Sequence, residues 1–253
     1  MKVVLLGSGN VATHLAQAFA AAGIQVAQVW SHTLENANAL AEKVGAAVLA
    51  DLDLIDRHAD LYVISVKDDA IASVAGQLKR LDGLVVHTSG ATDLAILQDT
   101  VHSGVLYPLQ TFSKTQTLDF TKVPLCLESA VPADYAKLEI IARQLSNAIF
   151  TISSAERKVL HLAAVFVCNF PNYLYQVGQE LVAEHDLSFD LLRPLILETA
   201  LKVQHANPAA VQTGPAVRGD EKTMQRHMGL LNNHPVWQDI YESMSKNIKN
   251  TQI

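Results

Sequence analysis

Residues near the start of the chain have the types and spacing that bind the phosphates of a dinucleotide. Residues 7–12 read GSGNVA, which fits the pattern G-x-G-x-x-G/A between a predicted buried strand and a predicted helix. The first glycine would allow a tight turn, the second would let the backbone approach a pyrophosphate, and the helix N-terminus would supply free N–H groups. We therefore expect dinucleotide binding, to a nicotinamide cofactor or FAD, rather than a glycine-rich turn without a ligand. The residues expected to contact the cofactor here are Gly7, Ser8, Gly9, Asn10 and Val11.

The end of the second predicted strand, 24–30, indicates which nicotinamide cofactor this loop serves. An NAD site usually places Asp or Glu there to accept hydrogen bonds from the adenosine ribose. In this chain Ser31, His32 and Thr33 follow the strand, and the first carboxylate is Glu35. Because hydroxyls and an imidazole can donate to a 2′-phosphate that a carboxylate would repel, we expect NADP, with NAD less favoured. The alternative is that these residues only begin the next helix.

Two further predicted strands, 61–66 and 84–87, end in polar residues. Ligands of open α/β sheets bind at the carboxyl ends of the strands, so these ends face the same cleft as the glycine-rich loop. His87 is equally well interpreted as a residue near the nicotinamide and as a buried structural histidine. The residues expected to contact the cofactor from these ends are Ser65, Val66, Lys67, His87 and Ser89.

A long apolar helix predicted from Ser153 onward carries a stripe of polar side chains. At about 100° per residue, Lys158, His161, Asn169 and Asn172 fall on one face of this helix. Such a stripe either faces solvent or lines a site, and we favour a site. Lys158 and His161 are then candidate proton donors.

Residues 213–220, TGPAVRGD, form the other concentration of functional residue types. Gly-Pro and Arg-Gly predict an irregular loop from which Arg218 extends a two-pronged donor that suits a carboxylate. Asp220 is expected to cap the next helix and could also orient Arg218. A purely structural Arg218–Asp220 pair is the alternative.

The composition is that of a folded protein with no signs of nucleic-acid or membrane binding. The 253 residues carry a net charge of −6, and 49% are hydrophobic. There is no run of Lys and Arg, so nucleic-acid binding is not expected, and the apolar stretch 159–170 is shorter than the ~20 residues of a membrane span. Two cysteines are too few for a disulfide framework. We expect a cytoplasmic protein without a metal site.

The order of predicted elements divides the chain near residue 152. Up to that point short β-branched runs alternate with helical patterns, which predicts a parallel sheet covered by helices. After it only helices are predicted, beginning near 153, 188, 207, 220 and 235. The predicted fold is therefore α/β: a Rossmann-type, doubly wound, mostly parallel sheet at 1–152, followed by an all-helical domain at 153–253.

Taken together, these motifs resemble those of the Rossmann-like NADP oxidoreductases whose C-terminal half is known as DUF2520. The segments that carry the resemblance are 7–12, 87–90, 107–112, 169–170 and 213–227. The resemblance implies a fold similar to pyrroline-5-carboxylate reductase, 6-phosphogluconate dehydrogenase and the β-hydroxyacid dehydrogenases, with substrate between the domains and a helical dimerisation domain. His32 replaces the Arg of the reductase pattern. The Lys-x-x-x-Asn spacing of the β-hydroxyacid dehydrogenases is absent, because Leu162 lies four residues after Lys158.

The residues and the resemblance lead to two hypotheses of different classes. The first is an NADP(H)-dependent oxidoreductase that reduces a small carbonyl or imine acid, such as a ketopantoate-like 2-oxo acid, and forms a homodimer through its helical domain. Arg218 would bind the acid group, and Lys158 or His161 would donate the proton, with Asn169 also in the catalytic site. The second is a non-catalytic NADP-binding sensor that signals by domain closure.

Overall fold

The computed structural model describes residues 1–250, and its first half is built on one sheet of eight strands. The strands are β1 (Lys2–Leu6), β2 (Gln25–Trp30), β3 (Ala47–Leu49), β4 (Leu61–Ile64), β5 (Leu84–His87), β6 (Ser103–Pro108), β7 (Leu125–Glu128) and β8 (Ile149–Thr151). Their order in the sheet is β3-β2-β1-β4-β5-β6-β7-β8. All neighbours are parallel except β6 and β7, which are antiparallel. This confirms the predicted doubly wound, mostly parallel sheet.

Both faces of the sheet are buried, as a parallel sheet with helical crossovers requires. Side chains alternate along β1: Val3 and Leu5 enter one apolar cluster, while Val4 and Leu6 enter the cluster on the opposite face. All four side chains are fully buried. The central strands therefore hold their carboxyl ends in fixed positions at one edge of the sheet.

Nine α-helices are present among residues 1–250. They are α1 (Asn10–Ala21), α2 (Leu34–Val44), α3 (Asp68–Ala75), α4 (Pro132–Leu145), α5 (Ser154–Ala164), α6 (Phe170–Ala183), α7 (Arg193–His205), α8 (Glu221–Leu230) and α9 (Pro235–Asn250). The helix predicted from 188 is a single turn of 3₁₀ helix followed by α7, and the one predicted from 207 is only a 3₁₀ turn, Pro208–Val211. No helix within residues 1–250 has both the length and the hydrophobicity needed to cross a membrane.

The helix predicted from Ser153 differs from the structure in its middle. The predicted capping box is present, since Ser153 and Glu156 satisfy each other's backbone N–H groups at the start of α5. Residues Val165–Asn169 then form a π-helix, which advances less per residue than an α-helix. The spacing of about 100° per residue therefore ends at Val165, and the expectation that Asn169 continues the stripe of Lys158 and His161 does not hold.

The chain forms two compact units, which divide between Cys168 and Asn169 rather than near residue 152. Helix α5 belongs to the first unit because Ser154 and Arg157 are buried in it, with hydrogen bonds to the end of β7. The second unit contains α6 to α9 and is helical throughout its described elements. Within the described residues 169–250 only Ala216 and Leu231 are buried.

Candidate cofactor-binding and catalytic site

A cleft of about 800 Å³ lies in the first unit at the carboxyl ends of β1, β2, β4, β5 and β6. Its volume is within the range of small-molecule and cofactor sites. All of the predicted cofactor residues except His87 line it. They are Gly7, Ser8, Gly9, Asn10, Val11, Ser31, His32, Thr33, Ser65, Val66, Lys67 and Ser89. The structure thus brings together residues that four separate strand ends contribute.

The loop after β1 has the geometry of a phosphate-binding turn. Gly7 has a φ of +135°, and an added Cβ would lie 1.9 Å from the carbonyl oxygen of Ser65, so no other residue fits there. At Gly9 an added Cβ would meet no atom within 4 Å, which leaves open space above the backbone. No side chain caps α1 and its first turn holds no acidic residue, so its N–H groups can bind an anion. These features fit a pyrophosphate.

The end of β2 fits the phosphorylated ribose of NADP. The hydroxyls of Ser8 and Ser31 lie 2.7 Å apart, which links this end of the cleft to the glycine-rich loop. Thr33 is at the N-cap position of α2, but its side chain makes no capping hydrogen bond, so its hydroxyl is not used to begin the helix. Among the described residues that line the cleft, the one carboxylate is Asp68, which follows β4. The cleft lining at the end of β2 therefore holds no carboxylate that would repel a 2′-phosphate.

The loop after β5 is held in place by its own hydroxyl groups. Thr88 Oγ1 donates to Ser65 Oγ at 3.2 Å, which joins the ends of β4 and β5. Ser89 Oγ accepts the backbone N–H groups of Ala91 and Thr92 at 3.1 and 2.9 Å. The backbone along the cleft at this point is therefore fixed by side-chain hydrogen bonds.

His87 lies behind this loop and not in the cleft. Its side chain is fully buried, and its Nδ1 accepts the backbone N–H of Ser89 at 3.2 Å. Burial, together with the nearby positive charge of Arg157, lowers the pKa of His87 from 6.5 to about 4. Of the two interpretations of the sequence, the structure favours the buried, neutral histidine over a residue beside the nicotinamide.

Tyr107 and His161 form the end of the cleft next to β6. Tyr107 Oη and His161 Nδ1 are 3.1 Å apart, in hydrogen-bond contact. Desolvation by burial raises the pKa of Tyr107 to about 12, so the phenol keeps its proton at neutral pH. His161 was expected in the site from the sequence, whereas Tyr107 was noted only as the start of segment 107–112, which carries the family resemblance. It is the next-to-last residue of a buried strand of the same sheet, so extending the strand-end rule to β6 would have identified it.

Arg157 is the second residue that the sequence argument missed. Its side chain is fully buried, and its Nε donates to the carbonyl oxygen of Ser89 at 3.1 Å. The remaining guanidinium nitrogens donate to the carbonyl of Thr92, to the Glu128 carboxylate and to the Ser154 hydroxyl. Arg157 therefore fixes both ends of the loop after β5 from behind. The only sequence signal for Arg157 was its charge on an apolar helix, and the neighbouring Lys158 carries the same charge.

The other predicted catalytic residues do not line the cleft. Lys158 is exposed and pairs with Asp93, with 3.0 Å between Nζ and Oδ2. Asn169 is an exposed residue at the end of the π-helix, and Arg218 is exposed in the loop before α8. Asp220 accepts the backbone N–H of Thr223 at 3.1 Å and so caps α8, as expected. Among residues 1–250 no group of His, Cys, Asp and Glu could hold a metal ion.

Comparison with known proteins finds relatives of the chain along almost its whole length. Residues 2–89 match the family described as NADP oxidoreductase, coenzyme F420-dependent, and residues 123–248 match a domain of unknown function, DUF2520. A solved structure from Bacteroides fragilis, described as a candidate NADP oxidoreductase, is 41% identical with a TM-score of 0.94. The match covers 98% of each chain. The chain belongs to this NADP oxidoreductase family.

This NADP oxidoreductase shares its fold with more distant enzymes. An imine reductase from Myxococcus stipitatus, solved with NADP⁺, is 17% identical with a TM-score of 0.66 over 99% of this chain and 93% of that one. A reductive aminase from Aspergillus terreus, solved with NADPH and ethyl levulinate, is 15% identical with a TM-score of 0.69 over 99% and 94%. Comparison with curated proteins gives no match.

The family settles two of the alternatives that the sequence left open. The protein is an oxidoreductase and its cofactor is NADP, which sets aside FAD and a non-catalytic sensor. The residues at the ends of β1 and β2 fit this cofactor, as their geometry indicates. Bound NADPH supplies a hydride from its nicotinamide ring.

Proposed function

We propose that this protein uses NADPH to reduce the C=O or C=N bond of a small organic acid. The observation that carries the proposal is the order of groups along the cleft. Strands β2, β1, β4, β5 and β6 are consecutive neighbours in the sheet. Their carboxyl ends span about 19 Å at roughly 4.8 Å per strand.

This order gives the cofactor a direction. The 2′-phosphate would bind at the β2 end, beside Ser31 and Thr33, and the pyrophosphate would bind over Gly9 at the end of β1. The nicotinamide then lies near the loop after β5. Beyond it the cleft presents Tyr107 and His161, which are polar groups that can serve a proton transfer. A carbonyl or imine reduction needs a hydride and a proton, and both would thus be supplied at the β6 end of the cleft.

The fold relatives support the class of reaction. The imine reductase and the reductive aminase are named for the formation of amines from C=N bonds, and the second was solved with a keto ester. For this chain we infer a carbonyl or imine substrate, with 2-oxo acids and cyclic imino acids as the first compounds to test. His161 remains a candidate for the proton supply. Lys158 is a weaker one, because it pairs with Asp93 outside the cleft lining.

The acid group of the substrate is assigned to Arg218 on its chemistry. The guanidinium is exposed and lies in a loop where Gly214 and Gly219 both have left-handed φ angles, +117° and +63°. A planar fork of N–H donors suits a carboxylate. Replacing Arg218 by Ala should raise KM at least tenfold for an acidic substrate and leave KM for its methyl ester unchanged. Equal KM changes for acid and ester would contradict this assignment.

Turnover of NADPH tests the proposed reaction. Purified protein would be mixed with NADPH and a panel of 2-oxo acids, cyclic imines and keto acid–amine pairs, and oxidation followed at 340 nm. At least one class should give turnover that Gly7→Ala abolishes, since that residue cannot carry a Cβ. Tight NADPH binding without oxidation by any panel compound would contradict the proposal.

We also propose that the functional particle is a homodimer formed through the second unit. Leu191, Leu195 and Leu197 are 67%, 63% and 60% exposed, although leucines of this kind are normally buried. A helical unit in which almost nothing is buried requires a partner, and a second copy of the chain always provides one with the same apolar surface. Light scattering should give twice the chain mass of 27.5 kDa. A particle of the single-chain mass at micromolar concentration would contradict the dimer.

A further inference from the structure

We propose that Tyr107 is the catalytic residue that gives the proton to the substrate, with its hydrogen-bond partner His161 as the group that restores that proton. This inference rests on the proposed reduction and names the acid within it. Tyr107 would contact the oxygen or nitrogen of the C=O or C=N bond. His161 would act through Tyr107 and not on the substrate.

The position of Tyr107 follows from the sheet. It is the next-to-last residue of β6 and is paired with Cys126 on β7, so the neighbouring strand fixes its backbone on that side. Only 8% of its surface is exposed, yet its side chain lines the cleft. A rigid phenol at the carboxyl edge of the strand next to β5 is aimed at the space that the nicotinamide end of the cofactor would occupy.

Gly90 shows that the Tyr107–His161 contact is built into the fold. A Cβ on Gly90 would lie 2.7 Å from His161 Nδ1 and 2.9 Å from Tyr107 Cζ. Real Cβ atoms do not approach other atoms that closely, so an alanine would have to displace the histidine or the tyrosine. The absence of a side chain at Gly90 thus lets the phenol and the imidazole meet directly beside the loop after β5.

The other polar groups at this end of the cleft are less suited to donate a proton. The Thr88 hydroxyl already donates to Ser65 Oγ. The Ser89 hydroxyl accepts two backbone N–H groups, and its ordinary acidity is far too low for a general acid. The phenol of Tyr107 is the more acidic hydroxyl, and burial keeps it protonated until the reaction needs it.

The proposed step balances in electrons and protons. Hydride leaves C4 of the dihydronicotinamide and forms a C–H bond at the carbon of C=O or C=N, while the π electrons move to the oxygen or nitrogen. The Tyr107 O–H bond breaks and an O–H or N–H bond forms on the substrate. His161 then passes its Nδ1 proton to the phenolate oxygen 3.1 Å away while its Nε2 takes up a proton from solvent, which its half-buried side chain allows, so the net reaction consumes one hydride and one solvent proton.

The test compares two buried tyrosines. Tyr107→Phe should lower kcat about 100-fold or more, the usual contribution of general acid catalysis, and leave the Kd for NADPH unchanged. Tyr62→Phe is the matched control. Tyr62 is also buried with a pKa raised to about 12, and its hydroxyl donates to the Asp56 carbonyl outside the cleft. It should affect the melting temperature but not kcat.

Two further variants separate the catalytic role from a structural one. His161→Asn should lower kcat less than Tyr107→Phe, and added imidazole should restore part of the lost rate without changing KM. Gly90→Ala should lower kcat because it displaces the pair, and it tests the idea independently should Tyr107→Phe fail to fold. If the wild type reduces a panel compound and both Tyr107→Phe and Gly90→Ala retain its kcat within threefold, Tyr107 is not the acid. If the wild type reduces none, the proposed reaction fails and Tyr107 loses its role with it.

Discussion

The two units of this chain differ most in what they bury. In the first unit the central strands are fully buried on both faces, and even Arg157 is enclosed, with hydrogen bonds from each of its three guanidinium nitrogens. In the second unit Ala216 and Leu231 are the buried residues among 169–250, and Leu195 and Leu197 of α7 are 63% and 60% exposed. The first unit has the core of a self-sufficient domain, and it holds the cleft to which we assign the cofactor. The second leaves large apolar side chains exposed, which is the basis of the proposed dimer.

The largest effect should come from removing the buried cation of the first unit. Arg157→Met would remove the cation paired with the Glu128 carboxylate, which would keep only its hydrogen bonds from Ser154, and the donor to two backbone carbonyls. Breaking a buried pair costs about 3–5 kcal/mol. Lys158→Met is the matched control one residue away, since its exposed pair with Asp93 contributes about 0–1 kcal/mol. Urea unfolding measures the free energy of unfolding of each variant. Equal losses of this free energy in the two variants would mean that burial does not make Arg157 more important for stability than Lys158.

A second effect concerns the pH dependence of the first unit. His87 has a pKa of about 4 when folded and about 6.5 when unfolded, so the unfolded chain binds the extra proton between these values. The contribution of His87 to stability is complete above pH 6.5 and is lost as the pH falls towards 4, by up to about 3 kcal/mol. Unfolding free energies at pH 7 and pH 4.5 measure it. His87→Gln should have a shallower pH dependence than the wild type, and an unchanged slope would count against a buried neutral histidine.

A third effect tests the incompletely buried surface of the second unit. Leu195→Glu should weaken the proposed dimer by at least about 2 kcal/mol, or roughly 30-fold in Kd, because a buried leucine contributes about that much. Leu54→Glu is the matched control, since Leu54 is 69% exposed on the first unit. Sedimentation over a range of concentrations would compare them. A dimer that survives Leu195→Glu as well as Leu54→Glu would place the interface elsewhere.

The smallest effect concerns cofactor selectivity. Ser31→Asp puts a carboxylate at the end of β2, where it would repel the 2′-phosphate and raise the Kd for NADPH about tenfold or more, or about 1.4 kcal/mol. The Kd for NADH should stay the same or fall, because the new acid can accept hydrogen bonds from the ribose. Ser31→Asn controls for size without charge. Equal weakening of both cofactors by Ser31→Asp would contradict a 2′-phosphate site here.

The sequence was sufficient for the fold and for most of the cofactor site because both depend on local patterns. Strand and helix periodicity predicts the sheet, and a glycine such as Gly7 has few roles other than a turn that no side chain can enter. The strand ends then come together because parallel strands end at the same edge. This is why every predicted cofactor residue except His87 lines the cleft, whereas Lys158, Asn169 and Arg218, predicted for the catalytic site, do not.

The missed features depend on tertiary contacts that no local pattern reports. Arg157 and Lys158 are adjacent cations on one helix, yet one is enclosed by Glu128 and two carbonyls while the other is exposed. The π-helix changes the angular spacing after Val165, so a projection at 100° per residue puts Asn169 on the wrong face. The roles of Arg218 and Asn169, the homodimer and the cytoplasmic location stay predictions.

A crystal structure with NADPH bound would show whether the cleft of the first unit orders the cofactor from β2 to β6. We expect the 2′-phosphate beside Ser31 and Thr33, the pyrophosphate over the N-terminus of α1, and the nicotinamide ring at the Thr88–Gly90 loop, within contact distance of Tyr107. A cofactor bound in the opposite direction, or a nicotinamide that lies away from β5 and β6, would contradict this expectation.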